Sequence, residues 1–597
     1  MKSDKKIAVV DFGGQYAHLI ASRIRRLGAY TEILSNDEPI STYESFAGII
    51  LSGGPSSVYE PNAPKLPNEF FQIKAPILGI CYGHQLLMLA LGGDVKSSHS
   101  KEYGPAVLQI QNQGHSLSKS LSLQTKVWMS HGDEVVSLPK GFDIVGSSEN
   151  CKYAFVANES EKKFGIQFHP EVTHSEEGEI LLKNFIEICG VTSSWSISQF
   201  LDQKIAELQK QVPVGKNVFL LVSGGVDSSV AYLLLVKALG KDRVKGLLVD
   251  TGFMRKNEVQ DLLENLHQVG IDLTVWDESK IFYSALRNEF DPEKKRGIVG
   301  DLFLEAQKKA TTSLNLDSEH WLLGQGTIYP DTIESGGTKH SHKIKTHHNR
   351  VPQIEALIRE GKIVEPIADL YKDEVRELGR YLGLPEKWIE RHPFPGPGLV
   401  VRMIASPEKT PPKIDFTTLK LPKTAEIAIL PILAVGVQGD QRSYSHCAVL
   451  NDCTDNWKVL EQSAVEITNF KKEINRVVFA PGIQNLDSFF YTKLTLDKKD
   501  TDVLREADAI VNRILYEEKI HTKIWQMPVV LIPVGIKPNS FGIVLRPVES
   551  QEAMTANFYE MERRTLFAIR EELLKVPEIS LVLYDLTHKP PGTIEWE

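Results

Sequence analysis

The chain has 597 residues and a net charge of −9, with 42% apolar and 24% charged residues. That length predicts three or four domains, and that charge excludes bulk attraction to nucleic acid, so no nucleic-acid partner is expected. No apolar run reaches the ~20 residues that span a bilayer, the start "MKSDKKIAVVDFGG" lacks a signal-peptide pattern, and five scattered cysteines argue against a disulfide framework; the expectation is a cytoplasmic protein without membrane contact.

Residues 5–192 alternate short β-branched runs ("KIAVVDFGG", "AGIILSGGP", "APILGICYG", "KFGIQFHPE") with helical patterns such as "QYAHLIASRIRRLG". This alternation predicts an α/β domain with a largely parallel sheet. In "GICYGHQ", Cys81 stands between Gly79 and Gly83, where a strand ends and a helix begins. Such an elbow lifts its side chain above the sheet and crowds its own backbone, which small neighbours relieve. The helix N-terminus favours the thiolate, the reactive form. "FGIQFHPEV" supplies a base and an orienter: His169 to take the thiol proton, and Glu171 to hold the imidazole tautomer. Gly54 of "LSGGP" and Tyr82 offer backbone N–H groups for an oxyanion hole. A buried cysteine alone is more often inert core; it is the three elements within one α/β block that favour chemistry. The block resembles the class I glutamine amidotransferases, whose Cys-His-Glu triad releases ammonia from glutamine. Their Gly-x-Cys-x-Gly-x-Gln pattern is met in full. The resemblance places Gln85 on the substrate glutamine and gives "MSHGDEV" (129–135) a further contact to it. Cys151, Cys189, Cys447 and Cys453 match no motif and are expected to be structural.

After a Ser/Thr-rich linker, "GVTSSWSIS", residues 197–392 repeat the alternation in "NVFLLVSGG", "VKGLLVDTG", "DLTVWDES" and "HWLLGQGT", which predicts a second doubly wound domain. "SGGVDSS" (223–229) lies between strand and helix. The N–H groups of Gly224, Gly225 and Val226 form an anion nest with the helix dipole behind them, and Ser223, Ser228 and Ser229 add hydroxyls. Asp227 is out of place in a phosphate cradle unless Mg²⁺ accompanies the phosphates. The loop lacks the Gly-Lys-Ser/Thr of ordinary P-loops and resembles that of the ATP pyrophosphatases, which grip the β and γ phosphates and leave the α phosphate open to attack. That resemblance puts Val249 of "LLVDTG" against the adenine. "GQGTIYPDTIES" (324–335) reads as a loop at the carboxyl edge of the sheet.

"GGTKHSHKIKTHHNR" (336–350) carries four His, three Lys and one Arg. A metal site, a solvated loop and a lid all accommodate such a run. The spacing fits no usual zinc framework. The reading adopted is a lid that brings positive charge onto phosphates, with Lys345 assigned by resemblance to the ATP phosphates and the adenylylated intermediate.

"HPFPGPGL" (392–399) can be neither helix nor central strand and closes the second block. In 393–597, "ILAVGVQGDQRSYSHCAVL" is echoed by "VLIPVGIKPNSFGIVLRPV", and "EINRVVFAPG" by "EISLVLYDLTHKPPG", in the same order at nearly one offset. This suggests a smaller α+β domain built from a duplicated module, with extra chain near 450–525.

Taken with "TIYPDTIES", "HPFPGPGL" and the tail "KPPGTIEWE", the whole chain resembles the glutamine-hydrolysing GMP synthetases. The resemblance implies that XMP, ATP and glutamine give GMP, AMP, pyrophosphate and glutamate through adenylyl-XMP. It carries over Arg296, Asp440, Gln526, Lys589 and Glu595 as XMP contacts, and a homodimer through the C-terminal domain, whose geometry the longer chain puts in doubt. The alternative is an amidotransferase of the same construction with another acceptor, such as deamido-NAD.

Overall fold

The computed structural model describes residues 5–597 except 14–15, 55–56, 61, 192–194, 317–318, 335–361, 439–440, 487 and 550–555. The chain divides into two compact units: residues 1–204 with 327–359 and 367–374, and residues 205–326 with 360–366 and 375–597.

The first unit is built on β1 (Ile7–Asp11), α1 (Ala17–Arg26), β2 (Thr31–Ser35), β3 (Gly48–Leu51), β4 (Ile77–Ile80), α2 (Tyr82–Ala90), β5 (Asp94–Ile110), β6 (Gln124–Ser137), β7 (Asp143–Ser147), β8 (Phe155–Asn158), β9 (Lys163–Ile166) and α3 (Gly178–Ile188). These strands form one sheet in the order β2-β1-β3-β4-β9-β8-β7-β5-β6. β1, β3 and β4 are buried along their whole length, as strands covered on both faces must be. α1 buries Ala17, Ile20, Ala21 and Ile24, the spacing of one helical face. The expected largely parallel sheet is parallel only from β2 to β9. From β9 to β6 it is antiparallel. The reason is local: β5 and β6 are long partners, and β6 starts by alternating exposed and buried residues, the pattern of a strand with one solvated face.

The second unit holds a five-stranded parallel sheet of β10 (Asn217–Leu221), β11 (Val244–Asp250), β12 (Thr274–Asp277), β13 (Trp321–Gly324) and β14 (Ile363–Val364), in the order β12-β11-β10-β13-β14. Order reverses at β10, so the crevice for a ligand lies at its carboxyl end. α4 (Val226–Leu239) follows β10, α5 (Glu258–Gln268) follows β11, and α6 (Pro292–Ser313) precedes β13.

The same unit carries β15 (Ile427–Gln438), β16 (Gln441–Leu450), α7 (Trp457–Phe470), β17 (Ile474–Phe479), α8 (Lys498–Glu517), β18 (Val529–Ile532), β19 (Phe541–Leu545), α9 (Arg563–Leu573) and β20 (Ile579–Asp585). Its sheet runs β15-β16-β17-β20-β19-β18. Each half is an antiparallel pair followed by a helical crossover to a parallel strand, and β17 meets β20 antiparallel at the centre. These are the stretches that echo each other in sequence. Residues 450–525, read from the sequence as extra chain, supply α7, β17 and α8. One buried cluster joins Phe253, Leu399 and Met403 to Leu450, Val477 and Leu531. Among the described residues no helix is long and apolar enough to cross a membrane.

Candidate active sites

Cys81 occupies the turn between β4 and α2 with φ 53° and ψ −108°, a conformation that costs a non-glycine residue about 1–3 kcal/mol. The glycines around it are dictated by contact. A Cβ on Gly79 would lie 2.6 Å from the Gly83 carbonyl oxygen, and one on Gly83 would lie 2.3 Å from that of Leu51. The strained elbow therefore persists because strand and helix close on it from both sides. His169 Nδ1 lies 2.7 Å from Glu171 Oε1, with both side chains buried, and Cys81 shares the same spot: a Cβ on Gly53 would lie 3.2 Å from His169 Cε1 and 3.8 Å from Cys81 Cβ. Burial opposes charge on the imidazole, but Glu171 and Cys81 outweigh it and raise its pKa well above 6.5. Tyr82 is the first residue of α2, where N–H groups have no partner within the helix. Gly54 packs beside it: a Cβ there would touch the Tyr82 ring at 3.2 Å. Gln85 is buried, and its Nε2 donates to Asp133 O at 2.8 Å, which ties it to the "MSHGDEV" strand β6. All six residues expected in the glutaminase site are described, and Cys81, His169 and Glu171 lie close to one another.

Two features of this site escape sequence reasoning. His84 is fully buried, and burial lowers its pKa to about 3, so it serves as a neutral spacer. A Cβ on Gly165 would meet its ring at 2.1 Å, which leaves the ring room only against glycine. Tyr16 packs on His169 with ring centroids 4.8 Å apart. Burial pushes the thiols of Cys151 and Cys189 up to about 12 and also raises that of Cys447, as suits buried cysteines without a motif.

In the second unit the loop 223–229 turns at Gly224, φ +82°, and enters α4 at Val226. Its hydroxyls hold its shape. Ser228 Oγ accepts the Ser223 N–H at 3.1 Å and donates to Gly225 O at 3.1 Å; Ser229 Oγ donates to the same oxygen at 2.9 Å. The Gly225 N–H reaches Ser223 Oγ at 3.3 Å. Gly326, just past β13, closes on the loop so tightly that a Cβ would lie 3.0 Å from Ser228 Cα. Val249 is buried near the end of β11, the strand beside β10. Asp227 is half-buried in the first turn of α4. Among the described residues no group of three or more His, Cys, Asp or Glu could hold a metal alone. A single carboxylate beside an anion nest instead suits Mg²⁺, which takes its remaining oxygens from phosphate and water.

The tail 589–597 is anchored by buried charges. Lys295 Nζ contacts both oxygens of the Glu597 side chain, at 2.6 and 2.8 Å. Burial raises the Glu597 carboxyl despite Lys295. Arg296 donates to the main-chain oxygen of Glu597. Arg402 grips Glu595 through Nε at 3.1 Å and Nη2 at 3.0 Å. Asp585, wholly buried, faces Arg476 at 3.1 Å, Arg546 at 3.0 Å and Trp596 Nε1 at 2.9 Å. Burial would raise its carboxyl, but the two guanidiniums outweigh it and hold it below the usual range. Arg476 is lowered to about 10 by burial and by Arg546. Gln526 pairs with Val548, and Lys589 with Ala556, through main-chain hydrogen bonds. Val548 in turn pairs with Phe558, which brings those two segments to one place. Arg296 and Glu595 are thereby fixed around the tail. Lys345, with the rest of the 336–350 run, and Asp440 lie outside the described residues. Arg402 and Lys295 carried no signal in sequence, because their partners are 193 and 302 residues away.

Three families match the chain in order. Residues 8–189 match glutamine amidotransferase class-I, residues 195–319 match NAD synthase, and residues 513–596 match the GMP synthase C terminal domain. A protein of Leptospira interrogans named probable GMP synthase (glutamine-hydrolyzing) is 59% identical over 599 residues, covering 99% of each chain. GMP synthase (glutamine-hydrolyzing) of Aquifex aeolicus is 36% identical over 606 residues, again 99% of each. That of Debaryomyces hansenii is 41% identical over 494 residues, 79% of this chain and 92% of the other. With the Cys81–His169–Glu171 triad, the 223–229 loop and the anchored tail in one polypeptide, the chain belongs to the glutamine-hydrolysing GMP synthase family.

Proposed function

We propose that this chain makes GMP from XMP, ATP and glutamine. Cys81 sulfur attacks the side-chain carbonyl of glutamine, with N–H groups near Gly54 and Tyr82 receiving the oxyanion and Gln85 orienting the substrate. His169 gives its proton to the departing ammonia, then takes one from the water that frees glutamate. In the second unit the 223–229 loop and Lys345 hold the triphosphate, with Val249 beside the adenine. The O2 of XMP attacks the α phosphate, and pyrophosphate leaves into the loop. Ammonia then displaces AMP at C2. Arg296, Asp440, Gln526, Lys589 and Glu595 are assigned to XMP. Mg²⁺, held by Asp227, would neutralise the charge of the phosphates when bound.

The observation that carries this reading is the strained Cys81 elbow and the His169–Glu171 pair in the same chain as a strand-loop-helix turn that lacks a P-loop lysine. Match to an NAD synthase segment leaves deamido-NAD as an acceptor to test, but full-length likeness runs to GMP synthases. The same order of elements in both halves of 427–585 supports a duplicated module. The domain boundaries adopted are 5–192, 197–392 and 393–597, with homodimerisation through the last and a cytoplasmic location. Substituting Cys81→Ala tests the division of labour. Glutamine-supported synthesis should vanish while ammonium-supported synthesis survives; loss of both would sink the ammonia-transfer account.

A further inference from the structure

Inside the second unit a file of buried charges links the 223–229 loop to the tail, and no reaction step above uses it. Arg391 follows the short helix Glu386–Ile389 and donates to the Gly224 carbonyl. It lies 3.9 Å from the centroid of Trp388 and pairs with Glu258 Oε1 at 3.0 Å. The other Glu258 oxygen accepts the main-chain N–H of Arg255 at 3.0 Å. Arg255 Nε faces Asp508 Oδ2 at 3.6 Å, and Asp508 Oδ1 faces Arg402 Nη1 at 3.9 Å. Arg402 then holds Glu595 with two hydrogen bonds. The ring of Phe394 lies against both Arg255 and Arg402, at 4.5 and 5.4 Å.

The ends of this file are tight and its middle is slack. Separations of 3.6 and 3.9 Å are too long for hydrogen bonds. Among the described residues, Arg255 Nε, Asp508 Oδ1 and Arg402 Nη1 are buried without a hydrogen-bond partner. Leaving such groups unsatisfied is costly, so a small shift that closes both gaps lowers the free energy. Phosphates on the loop would pull the Gly224–Arg391 end. A purine seated on Glu595 would pull the Arg402 end. Both loads meet at Asp508, which α8 fixes and Asn512 Nδ2 steadies at 3.0 Å.

We propose that Asp508, Arg402 and Arg255 are positioning residues that couple occupancy of the ATP loop to the placement of Glu595 at the acceptor base. This rests on the reading of 223–229 as the ATP loop and of the tail as the acceptor site. Either substrate then binds tighter when the other is present, and by the same factor in both directions. The α phosphate is aligned with the acceptor oxygen only when both are in place.

The test is a binding cycle on the full chain with Mg²⁺, XMP and adenosine 5′-(α,β-methylene)triphosphate, which cannot release pyrophosphate. In the parent protein each ligand should tighten the other about fivefold or more, reciprocally. Asp508→Asn keeps the volume and removes the charge, and its coupling factor should fall to within about twofold of one. Arg255→Gln breaks the file on the other side of Asp508 and should do the same; it carries the test if the first variant does not fold. A merely structural role would weaken both affinities and leave their ratio at the parent value, which would overturn the proposal. Binding of both ligands to the parent protein without coupling would overturn the relay alone. Failure of the parent protein to bind XMP would overturn the acceptor reading and the relay with it.

Discussion

Glu171→Gln removes one charge and almost no volume from the glutaminase site. Glu171 Oε1 is 2.7 Å from His169 Nδ1, in a buried pair. A charge-assisted hydrogen bond contributes about 1.5–3 kcal/mol and a neutral one about 0.5–1.5 kcal/mol. The substitution therefore removes about 1–2 kcal/mol of imidazolium stabilisation. At about 1.4 kcal/mol per factor of ten, kcat/KM for glutamine hydrolysis should fall about 5- to 30-fold. The pH profile should move as well. Burial lowers the pKa of His169 while Glu171 and Cys81 raise it, with the net well above 6.5; without the Glu171 charge it must drop. The imidazolium then loses its proton at lower pH, and the alkaline limb of kcat/KM shifts to lower pH. Glutamate release measured from pH 6 to 10 reads both effects, with ammonium-supported synthesis as the control on the same preparation. An alkaline limb that stays in place, or an equal loss with ammonium, would refute the reasoning.

Gly83→Ala puts a Cβ 2.3 Å from the Leu51 oxygen, so β3 and α2 must part; glutaminase activity should fall about 100-fold, as for a displacement near 1 Å, and parent-level activity would contradict this. Asp227→Asn should raise the Mg²⁺ concentration for half-maximal ammonium-supported synthesis about tenfold or more, the effect of about 1.4 kcal/mol, while an unchanged Mg²⁺ dependence would remove Asp227 from the metal site. Asp585→Asn leaves two buried guanidiniums without their counter-charge and should cost about 3–5 kcal/mol in urea unfolding at pH 7. Because the folded pKa of Asp585 is depressed, its contribution is full above the unfolded value of about 3.9 and is lost as pH falls through the folded one; the gap between parent and variant should therefore narrow below about pH 4, and a constant gap would contradict the ion-pair account.

The elbow at Cys81 and the glycine turn of 223–229 were legible because their determinants are local. Gly79, Cys81 and Gly83 lie within five residues, and the contacts that forbid a Cβ at either glycine come from the strand and helix that the same stretch forms or adjoins. The His169–Glu171 pair was legible because the two residues follow one strand together, two residues apart. The parallel-to-antiparallel change within the first sheet was missed because β5 and β6 run through polar sequence such as "DVKSSHSKEYG", where β-branched content is low. The tail was read as a source of ligands for XMP, yet what fixes it, Lys295, Arg402, Arg476 and Arg546, is scattered along the chain in runs that look like ordinary helix or strand. A buried arginine announces itself only through its partner, and these partners are tens to hundreds of residues away. The addition of residues 367–374 to the first unit has the same origin: Arg25 on α1 is buried against Tyr30, Tyr329 and Tyr371 and donates to Asp369 O, contacts that no local pattern encodes.

If the chain activates XMP as proposed, ATP is cleaved between its α and β phosphates. Phosphorus NMR of the intact protein with ATP, Mg²⁺ and glutamine, with and without XMP, addresses it directly. AMP and pyrophosphate should appear together, and only when XMP is supplied; release of ADP and phosphate, or cleavage that ignores XMP and follows deamido-NAD, would contradict it.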